Sequence, residues 1–147
     1  MAKYTFHPEL QKYAKMNIPV MPAILPLARK LMSALYGRKK SDDKVALDRL
    51  AIPAKDGHAI RALLYVPAAC HEGGPCLVFY HGDGFVYQAA PHHFVLARRL
   101  AELLQARTLF VDYRLAPKYP FPYAAEDACA AYAWVLSPQR ATAPAGT

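Results

Sequence analysis

Two short apolar runs with no polar interruption, CLVFY (76–80) and TLFV inside ARTLFVDY (106–113), flank a segment of different period. In that segment, HHFVLARRLAELL (92–104), Phe94, Ala97, Leu100, Ala101 and Leu104 recur at helical spacing. Continuous apolar runs suit strands covered on both faces. A helix between two such strands predicts a crossover unit, and so an α/β sheet. Ligand sites in such sheets lie at the carboxyl ends of the strands.

The flanking sequence extends this pattern. VALDRLAIP (45–53) and HAIRALLYVP (58–67) are separated by the turn signal AKDG, which predicts an antiparallel hairpin. RLAPKYPFPY (114–123) is a proline-pinned loop. AAEDACAAYAWVL (124–136) predicts a helix with Ala124, Ala128, Ala131 and Val135 on one side, small enough to approach a sheet closely. Residues 1–40 read as short helices interrupted by prolines, a packing arm or lid, with Gly37 as a stop. The tail after Leu136, SPQRATAPAGT, has no periodicity.

With 54% hydrophobic and 20% charged residues, the 147-residue chain is core-forming. Its net charge of +7 is confined to residues 1–61, which carry 12 Lys/Arg against 5 Asp/Glu; the remainder carries six of each. The densest basic stretch, GRKKSDDK, is broken by acids and reads as a solvated linker. It lacks the interleaved aromatics of a nucleic-acid groove, so no nucleic-acid partner is expected. Cys70, Cys76 and Cys129 form neither a disulfide framework nor a metal-ligand spacing. Three cysteines without a secretory leader point to a reducing, cytoplasmic location. No run of 18 apolar residues predicts a membrane span. The six histidines show no HExxH-type spacing, and neither a metal nor a cofactor is expected. His92 and His93, which open the first crossover helix, are expected at the surface or as caps. Cys129 is expected to be a small buried residue.

HGDGF (81–85) follows the first apolar strand directly. Gly82 and Gly84 permit a sharp turn and leave room for a ligand to approach the backbone. A plain tight turn would have the same composition. Consecutive N–H groups in such a turn can also form an anion-binding concavity, as an oxyanion hole does. A dinucleotide fingerprint is excluded because Tyr87 stands where a third glycine is needed, and no GK[ST] follows to make a phosphate loop.

The stretch VFYHGDGFVYQAAPHHFVLARRLA, followed by LFVDYRLAPKYPFPYAAEDACAAYAWV, resembles the hormone-sensitive-lipase-like branch of the α/β-hydrolases over about residues 45–136. That branch carries an HGGG motif and, later, DYRLAP. The resemblance implies an α/β-hydrolase fold, truncated before the nucleophile strand, with a helical N-terminal cap segment. The implied divisions are 1–40 for the cap, 41–137 for the N-terminal half of the hydrolase domain, and 138–147 for a disordered tail. It also implies hydrolysis of carboxylic esters, short-chain ones given the small cap. The Asp83 and Gly84 N–H groups would be the oxyanion donors, with His81 and Gly82 supporting the loop. Asp112, Arg114 and Pro117 would hold the adjacent loop and sheet edge. Asp83 departs from the family glycine and brings a carboxylate near those donors. It is expected to weaken catalysis if it faces the substrate.

The nucleophile is a serine in GxSxG in this family. Ser33, Ser41 and Ser137 do not lie in such a motif, and the acid and base partners are also missing. The chain alone is therefore expected to be inactive. Without the nucleophile strand beside it, CLVFY would become an apolar sheet edge. Self-association, or pairing with a separately encoded second half, follows as an alternative role.

Overall fold

The computed structural model describes residues 7–9, 26–27, 30–31, 42–71 and 73–137. Most of the expected cap, and the whole expected tail from residue 138, lie outside the described residues.

The hairpin forms as the alternation predicts. Strand β1 (Val45–Pro53) pairs antiparallel with β2 (Ala59–Pro67), with Val45 opposite Pro67 and Ile52 opposite Ile60. The turn between them is closed by Ala54 N–H donating to the His58 carbonyl at 2.8 Å. The Asp56 carboxylate accepts the His58 N–H at 3.1 Å. Gly57 takes φ +80°, a conformation that costs glycine little.

β3 (Cys76–Tyr80), α1 (Pro91–Leu104), β4 (Arg107–Asp112) and α2 (Tyr123–Leu136) complete the order. The sheet runs β1-β2-β4-β3. β3 and β4 are parallel, as the crossover predicts, whereas β2 and β4 are antiparallel. The sheet is therefore mixed.

Each sheet face carries one helix, because side chains alternate along the strands. On one face, Leu64, Leu109 and Val111 pack with Ala131 and Val135 of α2. On the other, Tyr65 and Phe110 pack with Ala97 and Ala101 of α1, and Phe79 and Phe94 join them. Phe110 stacks on both Phe79 (5.5 Å between ring centroids) and Phe94 (4.6 Å).

Two expectations fail for the same reason: only one side of each helix meets the sheet. Leu104, placed on the α1 stripe by its spacing, is exposed near the end of the helix. Cys129 is also exposed. It lies two residues from Ala131, about 200° around the helix, and so points away from the sheet. β3 is only half-buried, and Tyr80 is 40% exposed, because among the described residues the strand has a neighbour on one side alone. Among the described residues, no helix is long and apolar enough to cross a membrane.

Candidate active-site loop

The chain turns sharply where β3 ends. Asp83, Gly84 and Phe85 take φ of +78°, +63° and +61°. Three consecutive left-handed residues curl the backbone tightly, and only one of them is glycine. Asp tolerates that region better than most residues; Phe does not. The loop is held from both ends. Val86 and Tyr87 N–H groups donate to the Asp83 carbonyl at 3.3 and 3.2 Å. The Phe85 carbonyl accepts the Ala116 N–H at 2.9 Å, which ties this loop to the one that follows β4. The Asp83 and Gly84 N–H groups are at the exposed rim and donate to no acceptor among the described residues.

His81 is the buried floor of the turn. Its ring stacks on Tyr113 with centroids 4.4 Å apart and planes 9° from parallel, and lies near Phe110 on the sheet face. Its Nδ1 is 3.0 Å from the Gly82 carbonyl. A carbonyl only accepts, so Nδ1 carries the proton. Burial lowers the His81 pKa, which keeps the ring neutral. Tyr113 donates its hydroxyl to the His81 carbonyl at 2.6 Å, with the Gly82 carbonyl 3.3 Å away. Burial raises the Tyr113 phenol to about 12, and the nearby Asp83 and Asp112 charges add to it. The phenol therefore remains a donor at any physiological pH.

The Asp83 carboxylate leans toward the start of α1. Its Oδ2 is 3.8 Å from His93 Nδ1. His93 Nδ1 accepts the Ala90 N–H at 3.0 Å, so this histidine does cap α1, whereas His92 is exposed. Pro91 at the first helical position suits that start. Burial lowers the His93 pKa, with His92 contributing.

The second loop is organised by a buried ion pair. Asp127, fully buried on α2, accepts from the Arg114 backbone N–H (2.9 Å), Nε (3.0 Å) and guanidinium (2.6 Å). Arg114 also reaches Asp56 in the β1–β2 turn at 2.5 Å and lies over the Tyr123 ring at 4.5 Å. The Asp127 hydrogen bonds raise its pKa further above the usual range. Asp112 takes the structural pairing expected of it, with Arg61 across the β2–β4 ladder at 2.6 Å. Reading the sequence missed Asp127. Its signal was there: an acid at 127, in register with buried Ala131 and Val135, needs a buried cation.

Besides a depression of about 380 Å³ around Arg98 and Glu102, two others lie on the surface of the described residues. The larger, about 650 Å³, is an apolar trough between Ile52 and Trp134, remote from the glycine loop. The smaller, about 320 Å³, opens at the carboxyl end of β4 between Asp112, Tyr113, Arg114 and Gln88. The smaller is linked to the glycine loop through Tyr113, which lines it and donates its hydroxyl to the His81 carbonyl, although no residue of 81–85 lines it.

Residues 77–146 match the family described as alpha/beta hydrolase fold. Esterase LipI of Mycobacterium tuberculosis is 34% identical over 134 residues, 78% of this chain and 42% of that protein. Hormone-sensitive lipase of Homo sapiens is 40% identical over 111 residues, 76% of this chain and 10% of that protein. This chain belongs to the hormone-sensitive-lipase-like α/β-hydrolases. The fold agrees: a solved structure titled bacterial heroin esterase superposes with a TM-score of 0.71 at 30% identity, covering 95% of this chain and 45% of that one. Members of this α/β-hydrolase family are carboxylic ester hydrolases. The chain spans less than half the length of these relatives.

Proposed function

We propose that this chain supplies the oxyanion-binding part of a serine carboxylesterase for short acyl esters, and that it has no turnover alone. The observation that carries this reading is the turn at the end of β3. There the Asp83 and Gly84 N–H groups are exposed and lack a protein acceptor among the described residues. His81, Gly82 and Tyr113 hold that turn from beneath. A carbonyl oxygen that gains negative charge would be stabilised by the two donors, each worth about 10²–10³ in kcat. The chain's own three serines lie outside GxSxG, so the nucleophile has to come from another segment.

The test is hydrolysis of p-nitrophenyl acetate and butyrate, by the chain alone and after mixing with a chain that carries a GxSxG second half. Turnover only in the mixture is expected. Saturable turnover by the chain alone, with a fluorophosphonate adduct on it, would overturn the reading.

One observation supports a second role. β3 is hydrogen-bonded to β4 on one side only among the described residues, and its side chains are half-buried. Such an edge accepts a further strand. Pairing there, with a copy of itself or a complementing half, is the interaction reading. Sedimentation velocity across a concentration series reads it directly.

A further inference from the structure

Three side chains able to bind a metal meet at the junction of the glycine loop and α1. One ligand atom each of His81, Asp83 and His93 lies within 4.8 Å of the other two. His81 is only 4% exposed. Because its Nδ1–H is given to the Gly82 carbonyl, its lone pair is on Nε2, and that buried atom has no hydrogen-bond partner. A buried polar atom left so requires a water or an ion, or it costs stability. Metal-bound imidazoles commonly have this arrangement: one nitrogen fixed by a backbone carbonyl, the other free to ligate.

We propose that His81, Asp83 and His93 form a site for a divalent transition-metal ion of the zinc class, which fastens the glycine loop to the first turn of α1. Two imidazoles and one carboxylate suit zinc, cobalt or nickel; magnesium and calcium want oxygen ligands. Tetrahedral bonds of about 2.0–2.1 Å hold ligands roughly 3.4 Å apart. Asp83 Oδ2 and His93 Nδ1 already stand 3.8 Å apart. Binding asks for a contraction on the order of 1 Å across the widest pair, within reach of a loop whose rim is exposed. His93 would exchange the Ala90 N–H for the ion on its Nδ1 lone pair. The Asp83 side chain is 35% exposed, which leaves a fourth position to solvent. Metal binding stands whether or not the loop is an oxyanion hole. If it is, the ion offsets the Asp83 charge beside the donors.

The experiment is titration of the purified chain with Co²⁺, followed by Zn²⁺ competition. One equivalent should bind with the visible bands of four-coordinate Co²⁺ and no thiolate charge-transfer band. Asp83→Gly and His93→Gln should each weaken binding by about tenfold or more, and His92→Gln should leave it unchanged. Circular dichroism checks that each variant is folded. Asp83→Asn, which keeps the shape, carries the test if Asp83→Gly disturbs the loop. No binding, a six-coordinate spectrum, or binding that these variants leave intact would overturn the proposal. The His81 Nε2 would then belong to a buried water. No ester enters this assay, so its outcome is separate from that of the esterase reading.

Discussion

Replacing Asp127 with alanine should destabilise the fold by about 3 kcal/mol. The side chain accepts three kinds of N–H from one residue, Arg114, at 2.6–3.1 Å, and none of its surface meets solvent. Its removal leaves the Arg114 guanidinium in place, with 6% of its side chain exposed, and orphans a backbone N–H. Breaking a buried pair from one side costs about 3–5 kcal/mol. The lower end applies because Asp56 at 2.5 Å and the Tyr123 ring at 4.5 Å still attend the guanidinium. At roughly 2–4 °C per kcal/mol for a chain near 150 residues, Tm should fall by about 6–12 °C. Thermal unfolding followed by circular dichroism reads this. Asp127→Asn, which keeps the volume and one acceptor, should recover part of the loss. A Tm for Asp127→Ala within about 4 °C of the parent would refute the idea that this pair holds the second loop to α2.

By contrast, Arg61→Ala should cost less than about 1 kcal/mol despite a 2.6 Å contact, because Arg61 is 73% exposed and its pair with Asp112 is screened; urea unfolding midpoints measure it. Burial raises the phenols of Tyr65 and Tyr113 to about 12. Their folded pKa values lie above the ordinary 10, so this contribution to stability is complete below pH 10 and lost as pH rises through 12. Absorbance titration at alkaline pH should show Tyr65 and Tyr113 ionising late, together with unfolding; loss of both phenol protons near pH 10 would contradict it. Because the Asp83 carboxylate leans toward His93, Asp83→Gly should change ester turnover in the assembled enzyme little, and a tenfold or greater rise would show that the carboxylate faces the substrate. The half-covered β3 should make the chain self-associate as its concentration rises, and a monomer with a single cooperative unfolding transition would count against this.

The sequence by itself determined the elements and their type. Periods of 2 and 3.6 are set by backbone geometry, so the hairpin at 45–67, the helix that opens near His92 and the helix over 124–136 were readable from spacing alone. Proline and glycine placed the turns, since few residues tolerate those dihedral angles. The HGDGF loop at a strand end was likewise visible. Tertiary structure decided what each loop residue faces. Whether Asp83 leans toward a substrate or toward His93 depends on where α1 starts relative to β3, a distance no local pattern contains. Cys129 and Leu104 had the right chemistry for burial, but only one side of each helix meets the sheet. The Arg114–Asp127 pair joins residues 13 apart across a loop, and the His81–Asp83–His93 group joins a strand end to a helix start. Such groupings arise from chain crossings in space, and a sequence records only the residues that were available to make them.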